Sequence, residues 1–162
     1  MGVLEFLPAT RKVLRELSSN PEEFGEENGV RVHEIAQSVA QSSLDFMRTF
    51  SLETPAHWFG HFAIEGETQQ MVGVCTLKGP PDGGTVELAF FTFPGFEGFG
   101  IGTAMARFVL DRARTLPGVK LVIAHTAPEF NASTRILEKI GMHFAGEEEE
   151  DGGMVWRWEL EV

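Results

Sequence analysis

Three glycines at alternate positions, Gly98, Gly100 and Gly102, lie between two strongly patterned segments. Before them runs an apolar stretch, Val86 to Phe93, that stops at Pro94-Gly95 and reads as a strand with its exit turn. After them, Thr103 to Leu116 places Ala104, Met105, Phe108, Val109, Ala113 and Leu116 on one face at helical spacing. Glycines here let backbone approach a ligand with no Cβ between. The N–H groups of a helix's first turn have no intrahelical partner, and the helix dipole adds positive potential at that end. The stretch Gly98-Phe99-Gly100-Ile101-Gly102-Thr103 therefore suits a phosphate, and a pyrophosphate better. It is not a dinucleotide fingerprint, because the third glycine comes one residue early and no βαβ opening precedes it. It is not a Walker loop either, because the chain has no Gly-Lys-Ser or Gly-Lys-Thr.

Glu87 is the second residue with chemical potential. It sits early on the strand that leads to the loop, in a nearly unbroken apolar context. A carboxylate there is paired with a cation, exposed on an edge, or placed for chemistry. Burial beside Phe90 and Phe91 is expected to raise its pKa towards that of a base working near neutrality. His57 and His61, four apart, invite a zinc reading. On one strand they would share a face but stand about 13 Å apart, at roughly 3.3 Å per residue, too far for one ion. Further ligands are also missing, so no metal site is expected. Cys75, inside an apolar run, reads as a small buried hydrophobe.

Other elements must position these groups. Val3 to Leu7 reads as an edge strand ended by Pro8. Thr10 can cap a helix whose apolar face is Val13, Leu14 and Leu17. Ser18 to Pro21 breaks it, Glu22 to Asn28 reads as an acidic loop, and a second helix is expected from Val32 to Phe50. His57 to Ile64 and Gln70 to Leu77 read as antiparallel strands, and Val119 to Thr126 as a later one. Asn131 and Ser133 both suit the cap of a helix that Gly141 ends. The chain closes with a hairpin in which the acid run Glu147 to Asp151 joins two strands, the second from Met154 to Val162.

With 162 residues and no internal repeat, the chain reads as one domain spanning 1–162. No apolar run reaches the roughly 20 residues of a membrane span, and no signal peptide or membrane partner is expected. One cysteine excludes an internal disulfide and fits a cytoplasmic setting. A net charge of -11 argues against nucleic acid as a partner and favours a cationic one. Monomer and homodimer both remain open.

The loop's spacing resembles the pyrophosphate loop of the GNAT superfamily of N-acetyltransferases, with Gly100 and Gly102 at its glycine positions. Val86-Glu87-Leu88-Ala89-Phe90 looks like that family's fourth strand, and Ala124 to Glu129 like the end of its fifth. Asn131 to Met142 is similar to the helix that closes its site. The likeness is greatest to the branch containing the ribosomal-protein alanine and serine acetyltransferases. It implies an α/β (α+β) domain with a mixed, mostly antiparallel sheet of about seven strands flanked by helices. It also implies an enzyme that passes an acetyl group from acetyl-CoA to a primary amine by direct attack.

By the same resemblance, Gly98, Phe99, Gly100, Ile101, Gly102 and Thr103 hold the pyrophosphate. The pantetheine arm inserts between the fourth and fifth strands against backbone groups of Phe91 and Phe93. Glu87 is the base for the amine, or a structural carboxylate. His125, where the strands part, is a second candidate base or a packed histidine. Three positions depart from the family pattern. The chain has no tyrosine, and Leu137 stands where one usually protonates the leaving thiolate; Ser133 matches the serine suggested for that role in the ribosomal-protein branch. The usual asparagine falls on Phe130, so Asn131 covers it only with a shifted helix start. Glu97 opens the loop in place of Arg or Gln, which leaves a silent acyl-CoA-binding module as the alternative. The acceptor is a small-molecule amine or a protein N-terminus. Two acidic stretches, Glu22 to Glu27 and Glu147 to Asp151, are expected at its mouth and favour a cationic acceptor.

Overall fold

Seven strands form one sheet in the spatial order β1-β2-β3-β4-β5-β7-β6. The computed structural model describes residues 2–162. In chain order the elements are β1 (Leu4–Pro8), α1 (Arg11–Ser19), α2 (Pro21–Asn28), α3 (Ala36–Met47), β2 (Gly60–Glu65), β3 (Met71–Leu77) and β4 (Thr85–Thr92). There follow α4 (Ile101–Thr115), β5 (Leu121–Thr126), α5 (Ala132–Lys139), β6 (His143–Glu150) and β7 (Gly153–Glu161). The first four strands are an antiparallel meander. α4 then carries the chain across to β5, which runs parallel to β4, as a parallel pair requires a long crossover. β7 pairs antiparallel with β5 and with the edge strand β6. Among the described residues the domain is thus a single mixed α/β unit of a seven-stranded sheet and five helices, as the resemblance implies.

α4 lies on one face of the sheet, where Met105 fills the space over Gly73. A Cβ at Gly73 would come within 2.7 Å of the Met105 sulfur, so β3 carries a glycine where the helix presses closest. α1 and α3 lie over the opposite face. The Thr10 side chain accepts from the Val13 N–H at 3.2 Å and starts α1, and Leu14 and Leu17 are buried beneath it. Among the described residues no helix is long and apolar enough to cross a membrane.

Several local expectations are corrected. Glu22 to Asn28 is the helix α2, not a loop. Asn20 ends α1 but also caps α2, accepting from the Glu23 N–H at 3.1 Å. Pro21 occupies the first turn, Glu22 and Glu23 face the positive end of the dipole, and Phe24 anchors the helix in the core. α3 starts at Ala36 rather than Val32. The chain before it runs extended beside β3, with the Arg31 N–H donating to the Gln69 carbonyl and the Met71 N–H to the Arg31 carbonyl. β2 begins at Gly60, so His57 lies in a short 3-10 turn (Ala56–Trp58), off the strand that carries His61. Burial, reinforced by nearby Arg112, lowers the His61 pKa to about 4 and keeps its ring neutral. The acid run is not a connection: Glu147 to Glu150 lie within β6, and Asp151-Gly152 makes the turn.

Candidate active site

Gly98 and Gly100 both hold positive φ, 84° and 80°, a region open to glycine and strained for other residues. Gly100 is the N-cap of α4, and no side chain caps that helix. Its first-turn N–H groups at Ile101, Gly102 and Thr103 border a cleft of about 510 Å³. The third glycine has another purpose. Gly102 is inside the helix, and a Cβ there would stand 2.7 Å from Ile136 Cδ1, so its smallness lets α5 pack across α4. Phe99 is exposed at the rim. Glu97 folds back on its own loop, where its carboxylate accepts from the Gly95 N–H at 3.0 Å. From the far wall α5 contributes Arg135 and Lys139, two cations that the sequence reading missed. They are four residues apart and so share a helix face, a spacing that was there to be read.

β4 and β5 pair only from Thr85 to Glu87 with Leu121 to Ile123, then part. The opening holds a cavity of about 270 Å³ bounded by Leu88, Phe90, His125, Asn131, Ser133 and Leu137. Phe90 and Ser133 also border the larger cleft, so the two form one continuous channel. The expected backbone partners fall one residue out. The Phe93 N–H donates to the Val72 carbonyl at 2.9 Å, and the Lys78 N–H to the Glu87 carbonyl at 2.8 Å. By strand alternation Phe91, between them, also turns its backbone to β3. Leu88, Phe90 and Thr92 are the residues whose backbone faces the opening. Asn131 caps α5 in a reciprocal box, its side chain accepting from the Thr134 N–H at 3.1 Å while Thr134 Oγ1 accepts from the Asn131 N–H at 2.9 Å. Leu137, at the position of the missing tyrosine, is buried.

At the inner end of the channel a row of charges crosses the sheet from β3 to β6. Glu87 Oε2 is 2.9 Å from Lys78 Nζ and 3.1 Å from His125 Nδ1. His125 Nε2 is 2.9 Å from Glu148 Oε2, and its Nδ1 is also 3.4 Å from Glu150 Oε1. Arg157 bonds Glu148 at 3.1 Å and Glu159 at 2.7 Å. Glu87 is therefore not enclosed by Phe90 and Phe91 as expected; its side chain is 21% exposed and stands between two basic groups. His125 is only 12% exposed, and its Nδ1 has no hydrogen bond of good angle despite the close carboxylates. Burial works against its protonation. The carboxylates of Glu148 and Glu87, then Glu150, outweigh that and raise its pKa above the usual 6.5. The Glu148 carboxyl is held below the ordinary range, first by its bond to His125 and then, against the cost of burial, by Arg157. His125 with Glu148 and Glu150 could surround a cation, but a doubly paired imidazolium accounts for the same geometry.

The two acidic stretches do not meet. Glu148 and Glu150 reach His125, whereas Glu22 and Glu26 open on a separate groove with His33 and Glu34. Cys75, the only thiol, is fully buried, and burial pushes its pKa up to about 12. It is no nucleophile.

The sheet order, the parted parallel pair and the glycine-fed helix beside it define an acetyltransferase fold. The family model of the acetyltransferase (GNAT) domain matches residues 9–143, and the chain belongs to that family. Solved structures share the fold at low identity. An acetyltransferase of the GNAT family from Streptococcus pneumoniae is 12% identical, with a TM-score of 0.67 over 99% of this chain and 100% of that one. A spermidine N-acetyltransferase of Vibrio cholerae is 15% identical, with a TM-score of 0.63 over 98% and 94%. A ribosomal-protein α-N-acetyltransferase solved with coenzyme A is 11% identical, with a TM-score of 0.64 over 100% and 96%. The ribosomal-protein branch is thus one of several neighbours at similar distance. No curated protein sequence matches the chain.

Proposed function

We propose that this protein transfers an acetyl group from acetyl-CoA to a primary amine by direct attack in a ternary complex, in the cytoplasm. The observation that carries the reading is the channel: an uncapped α4 N-terminus at one end, parted strands in the middle, and at the other His125, which pairs with Glu87. The pyrophosphate rests on the N–H groups of Gly98 to Thr103, with Arg135 and Lys139 across from it. The pantetheine arm runs along Leu88 and Phe90, where a backbone N–H polarises the thioester carbonyl. Glu87, directly or by water, takes a proton from the ammonium. The freed amine nitrogen attacks the carbonyl carbon, the C–S bond breaks, and the proton lost by the new amide nitrogen replaces, through water, the one given to the thiolate. His125 holds Glu87 in place and, where it has lost its own proton, is the second group able to take the ammonium's. Ser133, which borders both parts of the channel, supplies a proton to the departing thiolate. Most of the acceleration comes from alignment of the two reactants.

The acceptor, a small-molecule amine or a protein N-terminus, arrives as an ammonium, and Glu148 and Glu150 beside the base suit a cation. A silent acyl-CoA-binding module is the second reading, carried by Leu137 in place of a tyrosine and by Glu97 in the phosphate cleft. Acetyl-CoA-dependent thiol release over an amine panel separates the two. Release with some amine supports the enzyme; tight coenzyme A binding with no release from any amine supports the module.

A further inference from the structure

We propose that the acceptor carries an apolar body behind its amine, and that α1, α3 and β3 form the pocket for that body. The inference rests on the acetyltransferase reading and names its substrate class.

On the face of the sheet that carries Glu87, a cavity of about 290 Å³ lies between the two helices and the strands. Leu14 from α1, Phe46 and Met47 from α3, Phe59, and Val74 from β3 supply most of its wall. Ser42, Ser43 and Thr76 add hydroxyls, and among the described residues the only charged one lining it is Lys78. Lys78 also fixes where the cavity stands relative to the chemistry. It pairs across β3 and β4 with Glu87, backbone and side chain, and so borders the cavity on one side and the base on the other. An amine placed at Glu87 and His125 therefore directs whatever it carries past Lys78 into this space.

The lining selects against a second positive charge. An ammonium in the cavity would lose water, find no carboxylate among the lining residues, and face Lys78. An alkyl or aryl group gains from the same transfer, about fourfold in the specificity constant for each methylene that leaves water. The acidic groups that favour a cation lie at the other end, where the reacting nitrogen itself sits. One charge at the head and none in the tail is the pattern that the two ends together select. A pocket below about 300 Å³ also limits the body to a short chain or one aromatic ring.

The test is a series of linear alkylamines from ethylamine to hexylamine, with 2-phenylethylamine, 1,4-diaminobutane and spermidine, assayed by thiol release. The specificity constant should rise along the alkyl series, and hexylamine and 2-phenylethylamine should exceed both polyamines by about tenfold or more. Ser43→Phe, which fills the cavity from α3, should flatten the series, so that hexylamine loses its advantage over ethylamine. Phe46→Asp, at a half-exposed position in the cavity wall, should move preference towards 1,4-diaminobutane. A flat series in the native protein, or spermidine ahead of hexylamine, overturns the proposal and leaves the acetyltransferase reading standing. If no amine of any class releases thiol, the acetyltransferase reading fails. The pocket is then judged by calorimetry of 2-phenylethylamine on the coenzyme A-loaded protein: binding that Ser43→Phe removes supports it, and absence of binding overturns it.

Discussion

At the scale of single residues, the site depends on how Glu87 and His125 divide one proton. Glu87 is a carboxylate between Lys78 and His125, and His125 is a histidine among three carboxylates. Glu87→Gln is expected to lower turnover about 10²- to 10³-fold, within the range for a positioned base, while acetyl-CoA affinity stays the same. A turnover loss matched by lost affinity would place Glu87 in the binding site instead. His125 also leaves a stability signature with a definite sign. Its folded pKa lies above the unfolded 6.5, so its stabilisation is fully present below that value and declines as pH rises through the folded pKa. The stability difference between the native protein and His125→Gln should be larger at about pH 6 than at about pH 9. Chemical denaturation at the two pH values decides, and equal differences would mean that the carboxylates do not hold a proton on the ring.

At the scale of elements, the loop and α4 bear the binding prediction. Gly100 needs a left-handed backbone but has open space around an added Cβ, with no atom within 4 Å. Gly100→Ala should therefore keep the fold, lose about 1–2 kcal/mol of stability to backbone strain, and weaken acetyl-CoA at least tenfold because the Cβ projects from the phosphate loop. Unchanged affinity in calorimetry, from a protein whose melting shows the strain, would put the pyrophosphate elsewhere. This loop was legible in the sequence because glycine spacing, strand exit and helical pattern all point to it. The α2 signals were present too, since Asn20, Pro21 and two first-turn acids make a helix start, but the same residues also end α1. The Asp151-Gly152 turn was a hairpin signal outweighed by the length of the acid run beside it. The Lys78–Glu87 pair could not be counted out from the sequence. A tight turn joins Asp82 to Thr85, but Gly79-Pro80-Pro81 interrupts the ladder before it, and the pairing resumes with a shifted register. Counting outward from the turn would set Lys78 opposite Ala89, two residues from its actual partner.

At the scale of the molecule, a net charge of -11 invites the view that any acidic surface draws in a cationic substrate. The fold distributes that charge unevenly. Strand alternation turns Glu148 and Glu150 towards His125, and sends Glu147 to the opposite face, where it accepts from the Trp156 indole N–H at 3.3 Å. Glu149 follows Glu147. Two double variants then remove equal charge from one strand on opposite faces. Replacing Glu147 and Glu149 with Gln should leave the specificity constant for an alkylamine within about twofold of the native value, because those charges lie across the sheet from the ammonium. Replacing Glu148 and Glu150 with Gln should lower it about tenfold or more and reduce its salt dependence, since the charges that attract the ammonium are gone. Where His125 rather than Glu87 takes the proton, the same pair should also move the acid limb of the pH profile down, because both carboxylates help to keep His125 protonated. Equal effects from the two pairs would mean that bulk negative charge, rather than the face on which it stands, governs capture of the amine.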